Sequence, residues 1–469
     1  MENNEAQKLK EELFNNKKTG WEGMTEEVKN AVFKFADEYM NYLNCSKTEK
    51  EIVKTSKDIL IKNGFVDLNE KQELNVGDKV FLENRGRTIY AAVIGEEVLE
   101  NGIRMVAAHG DSPRIDLKSK PLYEDSDMCL FKTHYYGGIK KYQWTNIPLS
   151  MHATFVKSNG EKIQVNIGED ENDPIFTITD LLPHLAQDQM DKKLKNGIEG
   201  EDLKLLVGSI PYDGEDKESV KLNVLNILNQ KYGITEKDFL SAEIELVPAF
   251  KARTLGFDGG LVAAYGQDDK ICAYTSLMAM MELENVKKTA VCILADKEEI
   301  GSMGNTGMES HMFDYFISEL LNKTGENRVN LLDKVFCFSK MLSSDVDAGF
   351  DPIYASVSDT SNAGHLGRGI TLNKYTGARG KSGASDANAE YVAWVRNLLE
   401  TNDIKYQLCE LGKVDIGGGG TIAYILANKG VDVIDCGVAV LSMHAPYEVT
   451  SKYDIYSAYK AYKAFWNKD

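Results

Sequence analysis

At 469 residues, with 43% hydrophobic content and only nine prolines, the chain is long enough for two domains with cores of their own, and nothing in its composition favours long disorder. A formal charge of −18 without a clustered basic surface excludes a general nucleic-acid binder, because neutralising phosphates requires such a surface. Seven cysteines with no CxxC pair fit a reducing compartment, and neither an apolar leader nor a run of roughly 20 apolar residues marks a targeting or membrane segment, so a soluble cytoplasmic protein is expected.

Taken in chain order, residues 6–62 carry apolar side chains at helical spacing, among them Val32, Phe35, Ala36, Tyr39 and Leu43. Strand-like runs follow at 79–82 and 88–94, and a further run, 103–108, stops at His109. From about Pro121 to Val247 the chain turns to Tyr, Trp and Thr-rich runs broken by Gly, Asn and Asp, then to a charged stretch from Gln187 to about Glu218 that is expected to be helical. This reads as an inserted β-rich domain. After Pro248 helix and buried strand alternate: 271–283 as a helix, 289–295 and 431–440 as strands. The expectation is an α/β fold, a mixed sheet covered by helices on both faces, formed by 1–120 and 248–469 and interrupted by an insert at 121–247.

In open α/β sheets function gathers at the carboxyl ends of strands. Here those ends deliver His109-Gly110-Asp111, then Asp296-Lys297-Glu298-Glu299, then Met443-His444, while Ser343-Ser344 leads to Asp345. Two histidines and several carboxylates at one sheet edge suit zinc, which takes imidazole nitrogen and carboxylate oxygen, although the same donors accept cobalt or manganese. Glu298 and Glu299, being adjacent, point in different directions, so one can bind metal while the other stays free as a general base. Each motif alone is equally consistent with a structural role: a His capped by a nearby Asp, or glutamates opening a helix. The glycine run 417–420 lacks the Lys-Ser/Thr end of a phosphate loop, and no serine or cysteine nucleophile elbow is present.

With these residues in view, the chain resembles a bacterial member of the aspartyl aminopeptidase family of dinuclear zinc aminopeptidases. The resemblance rests on segments 108–114 (Ala-His-Gly-Asp-Ser-Pro-Arg), 182–186, 266–273, 296–302, 343–346 and 441–446, in that order. It implies two divalent metal ions per chain: His109 and Asp345 as ligands of one, Glu299 and His444 of the other, and Asp268 as the bridge, with a cis peptide to Asp269. It also implies Glu298 as general base, Asp111 as the carboxylate orienting His109, and cleavage of the N-terminal residue of peptides. The family's insert mediates dimerisation, with assembly into a dodecamer, and one histidine of the insert reaches a neighbouring active site. The family position for that histidine holds Asp188 here, and His184, four residues earlier, is the substitute. An acidic N-terminal side chain would be received by basic residues in the 371–387 segment, where Lys374 and Lys381 stand at a spacing unlike the family's. Two other functions remain at this point: a dinuclear amidase or deacylase acting on small acylated amino acids, and a non-catalytic shell or cargo protein.

Overall fold

The computed structural model describes residues 2–14 and 19–468. Its main sheet has nine strands, and its centre is four parallel ones in the order Ala290–Ala295, Arg104–His109, Lys340–Ser343, Asp432–Gly437. Antiparallel strands flank this centre on each side, at Thr88–Val93 and Ile370–Asn373. Side chains alternate with the two-residue period of a strand. Ile89, Ala91 and Val93 join Val106 and Ala108 in one core, while Tyr90 and Ala92 join Met105 and Ala107 in another. The first core is closed by the helices Glu26–Cys45, Glu49–Lys62, Gln267–Met281, Ala389–Thr401 and Lys452–Trp466, the second by Met312–Lys323, Leu331–Cys337 and Ala423–Ala427. The expected sheet covered on both faces is therefore what the chain forms.

A seven-stranded antiparallel sheet draws all its strands from Arg114 to Pro248 and has a third core, built around Phe131, Trp144, Phe155 and Phe239. The charged stretch 187–218 is not the helix expected of it. Short turns at Gln187–Met190 and Leu194–Gly197 give way to the strand Leu205–Gly208, and the helix falls at Ser219–Tyr232. Gly197, Gly200, Gly208 and Pro211 interrupt helical propagation, and burial of Leu203 and Leu205 in the third core rewards strand pairing instead. A five-stranded sheet, Arg253–Leu255, Leu261–Ala264, Glu448–Ser451, Ala439–Leu441 and Asp347–Ala348, sits where the chain returns toward the main sheet.

Buried charge joins the seven-stranded sheet to the segment that carries the helix Glu49–Lys62. Glu49, fully buried, accepts from Arg87 at 2.6 Å and lies 3.4 Å from Arg114, which reaches Asp116 at 2.8 Å. Beside it His152 stands between Glu51 (2.8 Å) and Glu169 (3.0 Å), and Glu169 also accepts from Lys47 at 2.7 Å. Burial opposes charge on His152, but the two carboxylates outweigh it and raise the imidazole to about 9, against an ordinary value of about 6.5. A raised folded-state pKa stabilises below the unfolded value and is lost as pH rises through the folded one. His152→Gln should therefore lower the melting temperature at pH 6, and in a thermal-melt series the gap to the parent protein should close as pH passes about 9. Among the described residues no helix is long and apolar enough to cross a membrane.

Candidate metal centre

The carboxyl ends of the parallel strands converge. His109 ends its strand, and Glu298 and Glu299 follow Ala290–Ala295 through Lys297, whose left-handed φ of 66° turns the chain sharply into a short 3-10 segment. Asp345 lies just beyond Lys340–Ser343. The smaller sheet supplies the remaining groups. Asp268 follows Leu261–Ala264 at the head of the buried helix Gln267–Met281, where its backbone is not helical, and His444 follows Ala439–Leu441 with a φ of 64°. The Asp268–Asp269 peptide is cis. Left-handed backbone at a polar, non-glycine residue is held only where the surroundings over-determine it, and such residues cluster at functional sites.

Asp268 is the centre of the constellation. Its Oδ1 lies 3.2 Å from His109 Nε2 and its Oδ2 lies 3.2 Å from His444 Nε2. Asp345 Oδ1 is 3.7 Å from the His109 nitrogen, and Glu299 Oε2 is 3.6 Å from that of His444. Glu298 Oε2 stands back, 3.9 Å from His109 Nε2. Asp269 does not share in this: its Oδ2 accepts from the backbone N–H of His109 at 3.4 Å. Ligand atoms of His109, Glu298 and Asp345 fall within 4.8 Å of one another, as do those of His109, Asp268 and Glu299.

In both rings Nδ1 is hydrogen-bonded and Nε2 faces the carboxylates. His109 Nδ1–H donates to the main-chain oxygen of Asp111 at 2.9 Å, with the Asp111 carboxylate at 3.4 Å, and His444 Nδ1–H donates to the Gly138 carbonyl at 2.7 Å. A hydrogen bond of this kind fixes tautomer and ring orientation. Asp111 also accepts from the Tyr136 hydroxyl (2.8 Å) and from the N–H groups of Glu298 and Glu299 (3.1 Å each), so one buried carboxylate positions the histidine and the Glu-Glu turn together. Glu448 does the same on the other side, accepting from His444 N–H at 2.8 Å and Asp268 N–H at 3.1 Å. Sequence reasoning missed Tyr136, Gly138 and Glu448. Only the i,i+4 spacing of His444 and Glu448 leaves a trace in the sequence.

The electrostatics call for a cation. Burial raises Glu299 well above its ordinary value and pushes Glu298 to about 8; nearby Asp268 adds to both rises, and His109 opposes them. Burial also opposes charge on His109, but Asp111, Asp268 and Asp345 outweigh it and hold the ring's pKa well above the ordinary value. Among the described residues no lysine or arginine lines the cavity that contains Asp268, Glu298, Glu299, Asp345 and His444, and Glu299 Oε1 is buried without a hydrogen-bond partner. Carboxylates this close stay ionised only beside compensating positive charge. A nitrogen and oxygen donor set with an orphaned oxygen fits divalent zinc.

The other expected residues lie elsewhere. His184 is exposed on the 3-10 turn Pro183–Leu185 and lines no part of this cavity. Lys374 and Lys381 both bind Asp386, at 2.9 and 3.0 Å, and neither lines the cavity. The glycine run is at its rim, where Gly418–Gly419 pairs with Gly377–Ala378.

Comparison with known proteins bears directly on this geometry. Residues 42–466 match the family model described as aminopeptidase I zinc metalloprotease (M18). A probable M18 family aminopeptidase 1 of Clostridium acetobutylicum is 50% identical over 461 residues, 97% of this chain and 99% of that one. The crystal structure of an M18 family aminopeptidase from Thermotoga maritima superposes with a TM-score of 0.94 at 46% identity, covering 97% of this chain and all of that one. The mApe1 dodecamer structure of S. cerevisiae shares the fold at 20% identity, with a TM-score of 0.75 over 92% and 96% of the two chains.

Proposed function

The chain belongs to the M18 family of aminopeptidase I zinc metalloproteases and is a zinc-dependent aminopeptidase, and from this premise we propose that its chemistry uses two bridged divalent ions. His109 and Asp345 would hold one, Glu299 and His444 the other, and Asp268 both. One observation carries this: the two Asp268 oxygens each lie 3.2 Å from a different histidine. When bound, the metal pair supplies Lewis acidity at the scissile carbonyl and lowers the pKa of the attacking water.

The remaining work falls to protein groups. Glu298, held by its N–H on Asp111 but with its carboxylate standing back from the ligand histidines, takes the water's proton and returns it to the leaving nitrogen. Asp111 and Tyr136 keep His109 and the Glu-Glu turn in register, and Glu448 does so for Asp268 and His444. Peptidase chemistry is favoured by the family assignment over the amidase and shell alternatives.

The assembly reading, dimers through the 121–247 insert building a dodecamer in which His184 reaches a neighbour's site, is supported by the apolar residues the insert exposes. Leu181, Leu182, Leu185, Met190, Leu194 and Ile210 are all more than half exposed, more apolar surface than a monomer usually leaves in one region. The seven cysteines form no disulfide, which supports a cytoplasmic location.

Metal analysis and substrate profiling of one preparation test the metal reading. Two ions per chain are expected, with cleavage of free-amine peptides that ceases on chelation and recovers with zinc. A single ion per fully active chain, or turnover of N-acylated substrates alone, overturns it.

A further inference from the structure

We propose that the cavity beside the metal centre receives the substrate's N-terminal side chain and that Asp347 and Asp435 select a cationic one, lysine or arginine. The inference rests on the aminopeptidase reading and deepens it. The cavity, about 450 Å³, runs from the metal-site carboxylates past Val346 to Asp347, Asn373 and Asp435. Asp347 comes from the short strand Asp347–Ala348 of the small sheet, Asp435 from the central strand Asp432–Gly437. Both are almost fully buried, at 2% and 5% exposure.

Their oxygens are under-satisfied. Asn373, Cys409 and the Ala348 N–H approach Asp347 as donors, and Ser343 and Thr421 approach Asp435. Yet these donors do not meet either oxygen of Asp347, or Asp435 Oδ1, in good hydrogen-bond geometry, and the side-chain oxygen of Asn373 is buried without a partner. A set of under-satisfied buried acceptors is costly to maintain, and a ligand carrying several N–H groups relieves it: an ammonium brings three, a guanidinium five.

Charge points the same way. The proposed ion pair brings four positive charges, and Asp268, Glu299, Asp345 and Glu298 offset all four. Asp347 and Asp435 stand beyond that set, in a cavity lined by no lysine or arginine among the described residues. An acidic side chain would bring further acceptors to these under-satisfied acceptors, and Lys374 and Lys381, the basic residues expected to receive it, bind Asp386. Val346, Leu411 and Met443 provide apolar wall along which the methylene stem of a lysine or arginine packs while its head reaches the carboxylates.

The test is steady-state kinetics of the zinc-loaded protein on aminoacyl-coumarin amides of Lys, Arg, Leu, Asp and Glu. Lys and Arg should exceed Asp and Glu in kcat/KM by roughly 100-fold, and Asp347→Asn should lower the Lys-to-Leu ratio by about tenfold or more, the effect of a lost charge-assisted hydrogen bond. Asp435→Asn provides the same readout from the other strand should the first variant not fold. Asp or Glu turned over as well as Lys, or an unchanged Lys-to-Leu ratio in folded variants, overturns the pocket assignment while leaving the aminopeptidase intact. No turnover of any free-amine substrate overturns both.

Discussion

Glu298→Gln is expected to lower kcat by roughly 10²–10⁴-fold, the usual contribution of a positioned general base, while leaving the metal content of the purified protein unchanged. The amide keeps the size of the carboxylate and the N–H that binds Asp111, so the turn that carries Glu299 keeps its geometry. What is removed is the ability to take a proton. The carboxylate lies 3.9 Å from His109 Nε2, against 3.2 Å for Asp268 and 3.7 Å for Asp345; it is the proposed base and not a ligand, so its loss should cost rate and not metal. Two measurements decide the matter: turnover at saturating peptide and metal per chain. Activity within about twofold of the parent removes Glu298 as the base, and loss of one ion makes it a ligand instead.

Asp268→Asn should have the opposite signature, losing metal first and activity as a consequence. One Asp268 oxygen faces His109 and the other His444, so a single substitution weakens both half-sites. The cost in affinity should exceed the roughly 10–100-fold typical of removing a group that only orients a ligand. Asp269→Asn is the control within the same dipeptide. Its carboxyl meets the backbone of His109 and not the ring, so metal stoichiometry should survive. If Asp269→Asn empties the site and Asp268→Asn does not, the bridge has been assigned to the wrong aspartate. Metal titration of the two apo-proteins separates these outcomes directly.

The buried carboxylates of the site also explain why the fold needs its smaller sheet. The main sheet alone presents His109, Glu298, Glu299 and Asp345 along one edge, without the Asp268 and His444 that the proposed bridged centre needs. Leu261–Ala264 and Ala439–Leu441, two strands of the five-stranded sheet, bring Asp268 and His444 up to that edge. Glu448, on the strand between them, ties the backbones of Asp268 and His444 together.

Much of this was determined by the sequence alone. Apolar runs of strand length that end on His109, on Glu298-Glu299 and ahead of Asp345 and His444 carry their own information, because a parallel strand places its final residues at one edge whatever it pairs with. The two-sided burial of the sheet follows from continuous apolar runs such as 290–295, which leave no polar face. Tertiary structure alone decided the rest, because those decisions depend on contacts between residues distant in sequence. Gly138 meets His444 across 306 positions, and nothing local to either announces it. Glu298 and Asp111 are 187 apart. The charged stretch 187–218 has helical composition, yet its fate was set by whether Leu203 and Leu205 could be buried in a neighbouring sheet. Lys374 and Lys381 look available for an anionic substrate until Asp386, five residues beyond Lys381, folds back between them. Strand ends are written in local periodicity, whereas the pairing of a charge is settled by what else the fold brings within a few ångströms.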